Sequence, residues 1–187
     1  MDAFVYLRVR PGALEEVVLQ LGNVAGVRTA VGVVGEWDVL ASVHGPDLLG
    51  VAEEVVRGIH RIDGVERTMT APVVPAEVFA RPGEGSRAPI PMQAGDEAAC
   101  YVQVRASFGS ASHLVETISA IEEVSAVAMI AGAYDLLVEI ALPWERAAPV
   151  IVNRLLPLEG VQETRTLVAF RFETPDEEDR DQFSAWS

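Results

Sequence analysis

The chain has 187 residues, half of them hydrophobic, with 28 acidic side chains against 14 basic ones and a formal net charge of −14 at pH 7. That length admits one large domain or two small ones, with ample apolar material for a core. The charge argues against direct nucleic-acid binding by this chain alone, because such binding draws most of its affinity from cationic contacts to phosphate.

Strand one is expected from Phe4 to Arg10, where Val5, Leu7 and Val9 alternate with Phe4, Tyr6, Arg8 and Arg10. Leu14, Val17, Val18 and Leu21 follow helical spacing. Val27–Val34 and Trp37–Val43 read as two strands joined by a tight turn at Gly35-Glu36. A second helix carries Leu48, Val51, Ala52, Val55, Val56 and Ile59, and a last strand runs from about Val65 to Val73. Pro75 to Glu97, rich in proline and glycine, reads as a linker. The pattern then recurs. Tyr101–Arg105 is a strand, and Ala111, Leu114, Val115 and Ile118 form a helix stripe with Ser110 at its N-cap. A further helix around Trp144 to Leu156 contains Pro149, which predicts a kink or a late start. The segment from Glu173 to Ser187 carries six acids against Arg180 and reads as a solvated tail.

The repeat is explicit. Gly35-Glu36-Trp37-Asp38 returns as Gly132-Ala133-Tyr134-Asp135, and Ile62-Asp63-Gly64-Val65 as Leu158-Glu159-Gly160-Val161. Tyr6–Arg10 aligns with Tyr101–Arg105, at an offset of 95. The expected fold is α+β: two tandem ferredoxin-like βαββαβ units over residues 1–74 and 98–172, with a linker at 75–97 and a tail at 173–187. In each unit Val5, Leu7 and Val9, or their counterparts, serve the helices. The opposite sheet face is expected to hold Phe4, Tyr6 and Arg8, then Tyr101, Gln103 and Arg105. Glu66, Thr68 and Thr70, then Gln162, Thr164 and Thr166, are assigned to that same face. Such a mixed face suits sheet-to-sheet pairing of the two copies into an intrachain pseudo-dimer of the dimeric α/β-barrel type. Two separate units, each pairing with another chain, are the alternative.

One cysteine, Cys100, precludes an internal disulfide and suits a reducing cytoplasm. The first residues lack a signal-peptide layout, and no apolar run approaches the roughly 20 residues of a membrane span.

Each copy resembles the effector-binding domain of the Lrp/AsnC (leucine- and asparagine-responsive) regulators, on its Gly-x-aromatic-Asp hairpin and on the apolar-x-Gly-Val segment leading into a Thr-x-Thr strand. The resemblance implies paired ferredoxin-like units, dimers joining into larger rings, and a small-molecule effector, typically an amino acid. It also implies a role in transcription regulation through partnership with full-length regulators. The helix-turn-helix domain of those regulators is not expected here, since the first strand begins at about Ala3. The implied ligand contacts are Gly35, Glu36, Trp37, Asp38, Thr68 and Thr70, then Gly132, Tyr134, Asp135, Thr164 and Thr166. Asp38 and Asp135 would meet an ammonium group, although Asp and Gly also serve turns. The aromatics could equally be packing residues and the threonines plain strand formers. Ala133 stands where copy one has Glu36, and Gln103 where it has Arg8, so the two halves are not expected to offer equal sites.

No metal or cofactor is expected. His44, His60 and His113 fall outside the inward strand positions, and no cluster has ligand spacing. Strand arginines are expected to pair with Glu66 or Glu139. The reading is therefore of a non-catalytic effector-binding and oligomerisation protein. The alternative is a dimeric α/β-barrel enzyme of cofactor-free monooxygenase or isomerase type.

Overall fold

A computed structural model describes residues 1–75, Val78 and 99–170. The expected linker (75–97) and tail (173–187) lie almost wholly outside the described residues.

Copy one comprises β1 (Asp2–Val9), α1 (Leu14–Leu21), β2 (Val27–Val34), β3 (Val39–His44), α2 (Leu48–Arg57) and β4 (Val65–Pro72). Copy two comprises β5 (Cys100–Ala106), α3 (Ala111–Ser119), β6 (Ala126–Met129), β7 (Leu136–Ile140), α4 (Trp144–Val150) and β8 (Val161–Phe170). Both are ferredoxin-like. Their strands form one eight-stranded sheet in the order β4-β1-β3-β2-β8-β5-β7-β6.

Two seams close that sheet into a barrel. On one side β2 and β8 pair antiparallel through Gly32 with Phe170, Val33 with Ala169 and Val34 with Val168. On the other, Val73 bridges to Ile130, flanked by bonds from Val74 N–H to the Met129 carbonyl (2.9 Å) and from Ala131 N–H to the Pro72 carbonyl (2.8 Å). Every neighbouring pair is antiparallel, so β1 and β5 run the same way and equivalent residues of the two copies lie toward the same end of the barrel.

Three apolar clusters follow. Val5, Leu7 and Val9 pack with Val17, Leu21, Val51 and Val55 beneath the helices of copy one. Val102, Val104, Leu114, Ile118 and Leu155 do the same in copy two. The third cluster fills the barrel itself, with Phe4, Tyr6, Trp37 and Leu40 meeting Tyr101, Tyr134, Leu137 and Leu167. Each fully buried side chain of this size contributes about 1.5–3 kcal/mol.

Local differences from the sequence reading have plain causes. The β2–β3 loop spans Gly35–Asp38 rather than two residues, closed by Val33 N–H to the Asp38 carbonyl at 2.8 Å. Ser110 sits at the N-cap of α3, but its hydroxyl donates to the Ser107 carbonyl instead of capping the helix. The helix through Pro149 starts on time at Trp144. Proline cannot donate to the carbonyl one turn earlier, and the helix widens into a π-turn over Ile151–Leu155, with Leu156 N–H bonded to the Ile151 carbonyl.

The register also corrects the repeat alignment. Phe4 pairs with Ser42 as Tyr101 pairs with Glu139, and Tyr6 with Leu40 as Gln103 with Leu137. The offset in the first strand is thus 97, not 95. Tyr6 corresponds to Gln103, and Arg8 to Arg105 rather than to Gln103.

Gly64 and Gly160 explain one repeated motif as backbone geometry. Their φ values are 95° and 96°. A Cβ on Gly64 would stand 2.6 Å from the Ala13 Cβ, and one on Gly160 2.8 Å from the Ser110 Cβ and Oγ. Their carbonyls accept from Arg10 N–H and Ser107 N–H at 2.8 and 2.7 Å. Gly64→Ala and Gly160→Ala should each lower unfolding stability by about 1–3 kcal/mol in urea titration.

Candidate functional site

The two β-hairpins stand at one end of the barrel and do structural work there first. Val9 N–H donates to the Asp38 carboxylate at 3.0 Å, and Ala106 N–H donates to that of Asp135 at 2.8 Å. Both N–H groups sit at a β-bulge, where the register of β1 on β4 and of β5 on β8 slips by one residue and leaves Glu66 and Gln162 unpaired in the ladder. Asp38 also takes a hydrogen bond from Arg8 at 3.3 Å. The paired aspartates therefore anchor hairpin to bulge. Gly35, with φ 157°, approaches β8 so closely that a Cβ would meet Leu167 at 2.7 Å, whereas Gly132 has only Ala71 near it, at 3.8 Å.

Trp37 and Tyr134, each 5% exposed, belong to the barrel core. The Trp37 ring lies 6.0 Å from that of Tyr6, with the Arg67 guanidinium 5.6 Å from its centroid. Arg105 lies 5.3 Å from the Tyr134 centroid. The Tyr134 hydroxyl donates to Glu163 at 3.2 Å, and Glu163 also holds Arg105 and Arg165 at 3.3 and 3.2 Å. Its carboxyl is held below the usual range, chiefly by the hydrogen bond from Arg165. Arg165 reaches across to Glu36, tying the two copies together.

The four threonines lie on the other face. Thr70 pairs with Val5 and Thr68 with Leu7, while Thr166 pairs with Val102 and Thr164 with Val104. Directly paired residues share a face, so all four belong to the helix side, not to the inward face assigned to them. The Thr68 hydroxyl indeed lies 2.7 Å from His60, in the turn after α2. The inward residues of β4 and β8 are Arg67, Met69 and Ala71, then Glu163, Arg165 and Leu167. The strand arginines also choose other partners: Arg8 pairs with Asp38, Arg10 with Asp63 and Arg105 with Glu163.

At the rim of copy one, Arg8, Val9, Arg10, Pro11, Gly12, Leu14, Asp38 and Glu66 line a cleft of about 480 Å³. Copy two has Ser107 where copy one has Arg10, so the two rims are chemically unlike.

Inside the barrel lies a second set of polar groups, Tyr6 and Gln103 among them, that the sequence reading assigned to no site. Glu139 is 7% exposed. On the inner face it pairs with Tyr101 on β5 and Ala126 on β6. Its Oε2 has no hydrogen-bond partner among the described residues, nor do the Tyr6 hydroxyl, the Thr29 hydroxyl and both polar atoms of the Gln103 amide. All four side chains share the inner face, because Thr29 pairs with the inward Ser42 and Gln103 with the inward Leu137. Burial drives the Glu139 carboxyl up to about 7, with Ser125 opposing. Burial also carries the Tyr101 phenol above its usual range, with the Glu139 charge adding to it. Such a carboxyl can accept or release a proton near neutrality. The available signal was a single acid inside the otherwise apolar strand Leu-Leu-Val-Glu-Ile. Among the described residues no group of three or more His, Cys, Asp and Glu could hold a metal ion, and no helix is long and apolar enough to cross a membrane.

Two measurements follow from this geometry. Asp38→Ala and Asp135→Ala should each cost about 1–3 kcal/mol of stability by leaving a bulge N–H without its acceptor, read from chemical denaturation. The second concerns Glu139, whose proton the fold retains longer than the unfolded chain does. Its contribution is complete below pH about 4.5 and fades as pH rises to about 7, by up to about 3 kcal/mol. Glu139→Gln should abolish that slope in denaturation curves taken across the window.

The family model described as Lrp/AsnC ligand binding domain matches residues 2–80 and again 99–178. No curated protein matches the chain. Among solved structures, siroheme decarboxylase NirDL, in co-complex with an iron-uroporphyrin III analogue, matches over 91% of this chain and 71% of its own, with a TM-score of 0.69 at 12% identity. TTHA0845 from Thermus thermophilus is 32% identical over 41% of this chain and 96% of its own, with a TM-score of 0.39. AsnC of E. coli is 17% identical over 44% of this chain and 55% of its own, with a TM-score of 0.38. The expectation of a non-catalytic protein is corrected here. The fold that matches along nearly the whole chain is that of an enzyme, siroheme decarboxylase NirDL, and the barrel interior holds a titratable carboxyl, Glu139, beyond the histidines and ligand-spaced clusters that expectation weighed. The chain belongs to the Lrp/AsnC ligand-binding domain family, carrying two copies of the domain in one closed barrel.

Proposed function

We propose that the chain is a cofactor-free α/β-barrel enzyme that moves a proton on a small organic molecule held inside the barrel, as an isomerase does. The observation that carries this reading is Glu139, an inward and nearly buried carboxyl whose pKa of about 7 suits a general base at neutral pH. The family supports ligand binding and self-association, and the likeness to NirDL supports the use of this barrel for catalysis. The iron tetrapyrrole chemistry of NirDL does not transfer with it. His44 pairs with Asp2, His60 with Thr68, and His113 is exposed on α3, so the interior offers no imidazole to an iron centre.

A regulatory amino acid is a second, compatible reading, favoured by the rim cleft. Arg8 and Arg10 are suited to a carboxylate, and Asp38 and Glu66 to an ammonium group, which together match a zwitterion. Of the hairpin residues expected to contact an effector, Asp38 lines this cleft. Control of transcription through full-length regulators would belong to this site.

The test is hydrogen exchange at carbon. Small carbon acids are incubated with the protein in D2O and their deuterium content is followed by NMR. Wild-type protein should catalyse exchange with a rate that rises through pH about 7, and Glu139→Gln should lower it at least a hundredfold. Equal exchange by both proteins would sink the proposal.

A further inference from the structure

We infer that Tyr6 and Gln103 together form an oxyanion-binding site in the barrel, making an uncharged, enolisable carbonyl compound the substrate class. This rests on the proton-transfer reading of Glu139. The two residues occupy equivalent positions in the two copies, Tyr6 paired with Leu40 on β3 and Gln103 with Leu137 on β7. Both are fully buried. The hydroxyl and the amide face each other, and neither has any further hydrogen-bond partner among the described residues, although buried polar groups are nearly always fully paired. Burial drives the Tyr6 phenol above its usual range, only partly opposed by the Gln103 amide beside it, so the hydroxyl stays protonated and remains a donor. The Gln103 amide adds N–H donors that do not titrate.

Their surroundings decide what they can bind. Leu40, Leu137, Leu167 and Phe4 belong to the same cluster, and Arg165, paired with Gln103 on β8, is already engaged by Glu36 and Glu163, which together favour an apolar substrate body over a charged one. Glu139 lies two residues along β7 from Leu137, a rise of about 7 Å on the same face. A carbonyl oxygen on Tyr6 and Gln103 would therefore leave the carbons next to it on the side of the base. In the reaction, the Glu139 carboxylate takes a proton from the carbon α to the carbonyl. The C–H electron pair becomes the new C=C bond and the carbonyl π pair moves to oxygen. Tyr6 O–H and Gln103 N–H donate to the resulting enolate, whose charge would otherwise be unsupported in this apolar interior. Glu139 then returns the proton to the same carbon or, in an unsaturated substrate, to the γ carbon. The second course moves the double bond and consumes no oxidant or reductant.

The experiment separates this site from the base. Nitrophenolate serves as an enolate mimic whose absorbance reports binding, and 2-cyclohexenone and a β,γ-butenolide serve as carbon acids in D2O. Wild-type protein should bind 4-nitrophenolate with a shifted absorbance band. Tyr6→Phe and Gln103→Leu should each weaken that binding and slow exchange at least tenfold. Glu139→Gln should keep the binding and lose the exchange. Thermal melting of Tyr6→Phe is recorded alongside, and a melting point at the wild-type level assigns its loss of binding to the missing hydroxyl rather than to unfolding. Exchange that needs Glu139 but is indifferent to both Tyr6→Phe and Gln103→Leu would overturn the oxyanion site and leave the base standing. Exchange indifferent to Glu139→Gln, or absent from wild type, would overturn both.

Discussion

The molecule depends on the edge pairing that joins its two sheets. Without the β2–β8 and β4–β6 seams, Phe4, Tyr6, Trp37, Tyr101, Tyr134 and Leu167 would face water from two separate ferredoxin-like units. With the seams made, those side chains become a third core, and the few polar groups among them become costly enough to demand an explanation. The seams are unequal: three residue pairs hold one, and a single bridge with two flanking bonds holds the other. Arg165 reaching from β8 to Glu36 reinforces the longer one.

Much of this was legible in the sequence. The repeated hairpin and the shift of period from two to 3.6 and back gave the element order, and the mixed face of β1 pointed to sheet-on-sheet burial. The face of β4 and β8 was not legible. In the run Val-Glu-Arg-Thr-Met-Thr-Ala, threonine is at home on either side of a sheet. The bulge opposite Arg8 and Val9 also breaks a parity count taken from the strand start. What decides the matter is that the barrel interior claims Met69 and Ala71, leaving Thr68 and Thr70 to the thinner helix cover near the sheet edge.

The hairpin aspartates show how one motif serves the fold before it meets any ligand. Asp38 and Asp135 fall at matching positions and bind matching bulge amides, so folding gives their recurrence a reason of its own. Glu139 recurs nowhere: its counterpart in copy one is Ser42. A repeat comparison therefore passes over a carboxyl that its surroundings hold well above the usual range. A buried acid in an apolar strand is recognisable only once its face is known, and the face was fixed by pairing with Tyr101 and Ala126.

Joining two copies in one chain removes a constraint that a symmetric dimer cannot escape. In a homodimer of either copy, any residue facing the interior is met by its own duplicate. Two buried glutamates in one small apolar space would raise each other's pKa until one or both stayed protonated throughout the working range. Two glutamines, or two tyrosines, would offer donor sets of a single kind. The tandem chain instead sets Tyr6 against Gln103, Ser42 against Glu139 and Arg10 against Ser107. It thereby places Glu139, Tyr6 and Gln103, none of them duplicated at the matching position of the other copy, in an enclosure whose outer frame of paired bulges and hairpins stays nearly symmetric. Divergence on the inner face, over hairpin-to-bulge anchors kept in both copies, is what a barrel needs in order to acquire a directional reaction while keeping the fold that encloses it.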